Sequence, residues 1–338
     1  MTRHAHALGI GGVLLVIGIL FWPEGASARA DADAQARRVR VRQRPLPPDG
    51  EKPPVPPPQE PTAPEVISLR SDLVLVAVSV LGPRGEWVTG LGPDDFEILE
   101  DGVPQPIAFF GGEATLPLRL VVLFDTSLSV KGRLEFQKQA VMRFFRSVMR
   151  PRDLAALISV STEPLLRQDF TEDVAQLVNA VRGLKAEGAT ALYDALVMAA
   201  ESLESVPGRR AIVVLSDGRD TVSRATLGQA LRRAHEVGAT IYAINVDEPL
   251  SANVREVIGE TALELLARQT GGEVFSPTRL EELDPVFARL VEQLRTQYVL
   301  GFYSTNEARD GAFRRLTVRV KRAGVVARAR EGYYAPRR

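Results

Sequence analysis

The sequence predicts an α/β protein: a doubly wound, mostly parallel sheet with helices on both faces, joined to a small antiparallel β-sandwich built from its flanking segments. Three observations carry this. From Leu118 onward, continuous apolar runs alternate with amphipathic helical patterns, as parallel strands buried on both faces require. Before that point the chain reads as β-prone runs joined by turns, and after residue 296 β patterning returns. Neither flank alone offers enough strands to bury a face. The flanks are therefore expected to fold together, with the α/β unit inserted between them.

Each element has a local reason. Residues 73–80 (LVLVAVSV) form a strongly β-prone run, closed by the turn Gly82-Pro83-Arg84-Gly85. Asp101-Gly102 is a hairpin signal, placed between a run ending at Glu100 and a strand expected over residues 103–110. In the α/β unit, strands are expected near residues 118–124, 154–160, 211–215 and 240–246. Helices are expected near 134–148, 174–181, 192–203, 227–235 and 257–268, and a last one over 280–294. Residues 165–170 read as a short edge strand antiparallel to its predecessor. Three C-terminal strands are expected over 297–303, 313–320 and 325–333. In the middle one Leu316, Val318 and Val320 alternate with Arg315, Thr317, Arg319 and Lys321, a half-buried strand with a basic outer face.

The N-terminus reads as a targeting segment. Arg3, His4 and His6 precede an apolar run ending near Trp22, and Ala26-Ser27-Ala28 offers a small-x-small cleavage pattern. Residues 1–28 are thus expected to be a signal peptide; an uncleaved anchor is the alternative, though the run is short for about 20 spanning residues. Residues 29–65 hold the basic run 37–44 and a proline-rich stretch, a composition that cannot build a packed core. They read as a spacer, or as a basic contact with anionic cell-wall or lipid polymers. The remaining division is an N-terminal β segment (66–115), the α/β domain (116–296) and a C-terminal β segment (297–336) that packs with the first. The chain is expected in the periplasm, cell envelope or outside the cell.

Composition removes several chemistries. Forty-two basic residues balance 42 acidic ones, so no general pull toward nucleic acid is expected. With no cysteine there are no disulfides, thiolate zinc sites or Cys nucleophiles. His4, His6 and His235 form no histidine cluster.

The most informative stretch is Leu120-Val121-Val122-Leu123-Phe124-Asp125-Thr126-Ser127-Leu128-Ser129. An apolar strand ends in Asp-x-Ser-x-Ser, where open α/β sheets put their ligands. Gly188-Ala189-Thr190 offers a hydroxyl at a helix start, and Ala211 to Gly218 is a second apolar strand ending in Asp217-Gly218. Hard cations such as Mg²⁺ take oxygen ligands and keep some waters. Asp125, Ser127, Ser129, Thr190 and Asp217 are thus a candidate metal site. Each hydroxyl could instead cap a helix, and Asp217-Gly218 could be an ordinary turn.

All five positions, in order, resemble the von Willebrand factor type A domain and its metal-ion-dependent adhesion site, whose pattern is Asp-x-Ser-x-Ser, Thr, Asp. With its lead-in around FEILEDGVPQPIAFF and its ending QYVLGFYS and GYYAP, the chain is similar to bacterial secreted "VWFA-related" proteins. The resemblance implies a Mg²⁺ site (or one for Mn²⁺ or Ca²⁺) with an open position that an Asp or Glu of a protein partner fills. Two carboxylates just neutralise a divalent cation, and weakly donating hydroxyls leave it electrophilic. Leu128 departs from the glycine common in the family and could touch a partner.

The function expected is therefore metal-dependent protein binding by an exported adhesion-type protein, not catalysis. A Mg²⁺-dependent hydrolase is the rival, with Asp194 or Asp220 as base. The sequence lacks a P-loop, a histidine in the strand-end motifs and a Gly-x-Ser-x-Gly elbow. A third reading is an envelope scaffold whose metal site is idle and whose basic strand face docks on an anionic surface.

Overall fold

The computed structural model describes residues 73–112, 115–246 and 254–337, the side chains of 254–256 excepted. The expected signal peptide, spacer and basic run lie outside the described residues. The chain enters on β1 (Leu73–Leu81), β2 (Phe96–Glu100), β3 (Val103–Gln105) and β4 (Ile107–Gly111). The α/β unit follows with β5 (Leu118–Asp125), α1 (Leu134–Val148), β6 (Leu154–Val160), β7 (Leu165–Thr171), α2 (Val174–Arg182) and α3 (Leu192–Glu204). It continues through β8 (Arg209–Ser216), α4 (Leu227–Val237), β9 (Thr240–Asn245), α5 (Val254–Thr270), β10 (Val274–Phe275) and α6 (Leu283–Thr296). Strands β11 (Tyr298–Tyr303), β12 (Phe313–Val320), β13 (Val326–Ala329) and β14 (Gly332–Tyr334) close the chain.

The six-stranded sheet has the order β10-β9-β8-β5-β6-β7, parallel throughout except for antiparallel β7 at one edge. The doubly wound α/β class is what the sequence predicts. Strand β5 shows why the sheet must be covered twice. Leu118, Leu120, Val122 and Phe124 enter one apolar cluster with α1, α2 and α6. Val121 and Leu123 enter another with α3, α4 and α5, as side chains alternating across a strand must. Helix ends are set locally: Asp173 accepts the amides of Ala175 and Gln176 at the start of α2. Thr226 and Gln229 form a capping box at α4, which stops at Gly238 in the left-handed region.

The flanking strands form two four-stranded sheets, β13-β1-β11-β4 and β14-β12-β2-β3. Each sheet takes strands from before and after the α/β unit. Val76, Val78, Phe96, Ile98, Tyr298, Leu300, Phe302 and Leu316 fill the space around them. A buried Glu100 accepts from Arg314 at 3.2 Å, from Tyr333 Oη at 2.7 Å and from Ser304 Oγ at 2.7 Å, tying the chain ends of β2, β11, β12 and β14 together. Against the base of the α/β unit, Gln297 donates to Tyr242 Oη at 2.7 Å and to Ser79 Oγ at 3.3 Å. It accepts from Arg209 at 3.0 Å.

Several boundaries differ from the sequence reading. The strand expected over 103–110 divides at Pro106 into β3 and β4, which pair with β2 and β11 in different sheets; proline has no N–H to continue a ladder. The strand expected over 325–333 divides in the same way at Arg330-Glu331, β13 joining β1 and β14 joining β12. The last helix begins at Leu283 after a 3₁₀ turn over Leu280–Glu282. Strand β10 is two residues long, too short to leave a periodic pattern.

Two expectations follow. Deleting 297–336 removes every cross-strand partner of β1 and β4 and takes β12 from β2, which keeps only β3. Limited proteolysis should then cut first within 73–111 while 116–296 stays protected, the behaviour of a β layer that folds as a unit separate from the α/β domain. The second concerns His235, 3% exposed, with its ring 5.3 Å from that of Phe313. Burial foremost, and then the nearby Arg330 charge, hold its pKa down to about 4. The unfolded chain takes up this proton near pH 6.5 and the native one only near 4, so native stability falls as pH drops through that window. Urea midpoints at pH 7.5 and 4.5 should show a larger acid loss for the wild type than for His235→Phe.

Candidate metal centre

Three loops meet at the carboxyl end of the sheet because β5 is the turning point of its strand order. From β5 the chain goes to β6 on one side, and β8 lies on the other, paired in parallel with Phe124 opposite Leu215. That reversal opens a crevice, and the residues after both strands face into it. The loops are stitched by backbone bonds: Thr126 N to Val160 O at 2.9 Å, Glu187 N to Thr126 O at 2.7 Å, and Leu128 N to Gly188 O at 3.1 Å. Gly188 has φ +71°, and a Cβ there would sit 2.4 Å from Thr162 Oγ1. Only glycine lets the Thr190 loop lie this close.

Asp125 is 1% exposed. Its Oδ1 accepts from Ser127 N at 2.9 Å and its Oδ2 from Ser216 Oγ at 2.9 Å. Burial, the largest influence, raises its pKa; the Ser127 and Ser216 hydrogen bonds oppose that, and the Asp217 charge adds to it. These donors are neutral, so a buried carboxylate here is hydrogen-bonded without being charge-paired by them. Ser127 Oγ and Ser129 Oγ lie 2.8 Å apart. Ser127 precedes the 3₁₀ turn Leu128–Val130 but makes no side-chain cap, and α1 is preceded by Arg133. Thr190 likewise is not the cap of α3, whose N-cap is Ala191. The helix-cap alternative for these hydroxyls does not describe what they do.

Ser127, Ser129, Thr190 and Asp217 line one open cavity of about 730 Å³; Asp125 is not in its lining and connects to it through Ser127, whose N donates to Asp125 Oδ1. A larger cavity, about 860 Å³, has none of the five in its lining. Among the described residues no three His, Cys, Asp or Glu side chains are grouped to hold a metal ion. A cation here would therefore depend on hydroxyls as well as on the two carboxylates. The hard-oxygen donor set and the uncompensated Asp125 fit a small divalent cation.

Arg219 stands outside the motif yet belongs to the site. Its backbone N donates to Asp217 Oδ1 at 2.9 Å, its Nε to Oδ2 at 2.7 Å, and its Nη2 also reaches Oδ2. Asp217 is already charge-compensated from within, so the count of two free carboxylates overstates the negative charge by one. In the sequence Arg219 directly follows Asp217-Gly218, but adjacency alone does not say which carboxylate its side chain meets. Asp194 and Asp220, the candidate bases, are committed to structure. Asp194 accepts Arg224 N at 3.0 Å and Ala225 N at 2.8 Å, and Asp220 accepts Tyr193 N at 3.3 Å.

Residues 120–219 match the von Willebrand factor type A domain. Bovine (Bos taurus) inter-alpha-trypsin inhibitor heavy chain H4 is 30% identical over 122 residues, covering 32% of this chain. The chain spans 13% of that protein's length. Among solved structures, proximal thread matrix protein 1 from the mussel byssus aligns with TM-score 0.47 and 14% identity, over 58% of this chain and 51% of that one. The vWF domain of the type V pili tip protein Mfa5 from Porphyromonas gingivalis aligns with TM-score 0.45 and 16% identity, over 52% and 94%.

Gly218 fixes the Asp217 loop against α5: its φ is +77°, and a Cβ would lie 2.2 Å from Gly259 O. Gly218→Ala should cost about 2 kcal/mol or more, from the left-handed backbone and the clash together. Gly132→Ala, with nothing within 4 Å, should be near neutral in the same denaturant titration.

Proposed function

We propose that this von Willebrand factor type A domain binds a protein partner through a divalent cation held by Asp125, Ser127, Ser129, Thr190 and Asp217. The observation that carries the reading is the convergence of three loops whose hydroxyls are not spent on helix caps, beside a buried carboxylate with neutral donors. Mg²⁺, Mn²⁺ or Ca²⁺ bound there would supply an electrophilic centre for an incoming Asp or Glu oxygen. Asp125 supplies the fixed negative charge. Ser127 and Ser129 present their oxygens as a pair, and Thr190 adds a third hydroxyl to the same cavity lining. Asp217 contributes its carboxylate to the extent that Arg219 releases it.

Binding rather than catalysis is favoured because Asp194 and Asp220 are held by backbone amides, which leaves no free base beside the cavity among those two candidates. Export to the periplasm, envelope or extracellular space is part of the same reading and rests on the N-terminal sequence pattern. Among the described residues no helix is long and apolar enough to cross a membrane.

Isothermal titration of the protein with Mg²⁺ or Mn²⁺ should show one site, lost in Asp125→Ala. Arg219→Gln removes a charge-assisted competitor for Asp217, a contact of about 1.5–3 kcal/mol, and should tighten binding roughly tenfold or more. Ser129→Asp should keep or strengthen metal affinity while blocking a partner carboxylate. Metal binding unchanged in Asp125→Ala would place the ion elsewhere.

A further inference from the structure

The walls of the candidate metal cavity are as informative as its floor. Leu128, Val222 and Ile258 line it, together with Ala189 and Tyr193. Leu128 and Ile258 are each 60% exposed and Val222 44%. They come from three separate segments: the turn after β5, the loop after β8, and the first turns of α5. Val257, beside Ile258, is 55% exposed. A single exposed aliphatic residue needs no explanation. Three of them, on independent segments around one polar centre, make a contiguous apolar collar, and collars rimming a polar centre mark binding surfaces.

Neither packing nor turn chemistry asks for these residues. Leu128 occupies a 3₁₀ turn where a small or polar residue would serve, and its side chain lies outside the core cluster that takes Val130. Val222 sits between Thr221 and Ser223, which do the structural work of that loop. Thr221 Oγ1 accepts Thr190 N at 3.0 Å and Ser223 Oγ accepts Asp194 N at 3.1 Å. Val222 itself is left to solvent.

We propose that this collar is a docking surface for a polypeptide segment presenting an Asp or Glu with a bulky aliphatic or aromatic side chain within two residues of it. This rests on the reading that an acidic group enters the centre. The complementarity is of two kinds. The polar floor, with Arg219 at its edge, takes the carboxylate, and Leu128, Val222 and Ile258 take the flanking apolar groups. A rise of about 3.3 Å per residue in an extended segment carries neighbouring side chains from the floor out onto the walls. Water displaced from the collar strengthens the central charge contact by lowering the local dielectric. Each flanking side chain buried in this way is worth roughly ten- to a hundredfold in affinity.

The test is selection of a displayed random dodecapeptide library on the purified protein, in magnesium and in chelator. Expected are sequences enriched only with magnesium, each carrying Asp or Glu with Leu, Ile, Val, Phe or Trp within two positions. Enriched acids with only polar neighbours overturn the collar and leave the metal–carboxylate reading standing. Enrichment that ignores chelator, or sequences without an acid, overturn that reading and the collar with it, as does an empty selection. A synthetic copy of the strongest sequence should bind Val222→Ser and Ile258→Ser at least tenfold more weakly than wild type. Both variants should titrate magnesium as wild type does. Equal peptide affinity in both variants would remove the collar from recognition.

Discussion

The site depends on Asp125 being buried at the point where the sheet reverses its strand order. A carboxylate 1% exposed is tolerable only if its oxygens are met by donors. The fold supplies Ser127 N from the same turn and Ser216 Oγ from the neighbouring strand. The second of these bonds couples the ends of β5 and β8, one residue before Asp217. Burial still works against the charge. A cation in the adjoining cavity would relieve a tension that the hydrogen bonds leave in place.

The opposite end of the sheet is devoted to attachment. Leu118 N, at the start of β5, donates to Asp153 at 2.7 Å, and Asp153 also takes Arg295 at 2.6 Å. Arg209, at the start of β8, reaches Gln297, which in turn bonds Tyr242 and Ser79. Burial lowers the Arg209 pKa to about 10 and raises that of the Tyr242 hydroxyl, which leaves the arginine charged at neutral pH. Such buried polar contacts add specificity of docking more than net stability. They hold the flanking β strands at the base of the α/β domain and keep its carboxyl-end loops clear of them.

What was legible in the sequence followed from physics that acts locally. Residues 120–124 must be a buried strand because nothing polar interrupts them, and the Asp101-Gly102 turn takes φ +47° and +85° as a two-residue hairpin requires. Alternation along β12 gave its face: Leu316 is buried while Arg315, Thr317 and Arg319 are exposed. What was not legible is which sheet a strand joins. Residues 103–110 and 325–333 each look continuous, yet each changes sheet midway, at Pro106 and at Arg330-Glu331, because partners distant in sequence decide the pairing. At the site, the five motif residues could be placed on strand ends from the sequence. Arg219 could not be tied to Asp217, since a side chain's choice of partner depends on the turn that aims it.

Arg219 and the apolar collar change how the site must be thought of. An Asp-rich cavity open to water would hold a cation tightly by itself, and a partner would add little. Here one of two carboxylates is matched internally, the other ligand candidates are neutral hydroxyls, and the rim is aliphatic. Each feature lowers what the protein alone offers an ion. Each also raises what a carboxylate-bearing partner adds, since it would bring the missing charge and cover exposed Leu128 and Ile258 at once. Affinity for ion and for partner would then be linked in one equilibrium, a weak metal site being the condition for a selective protein site.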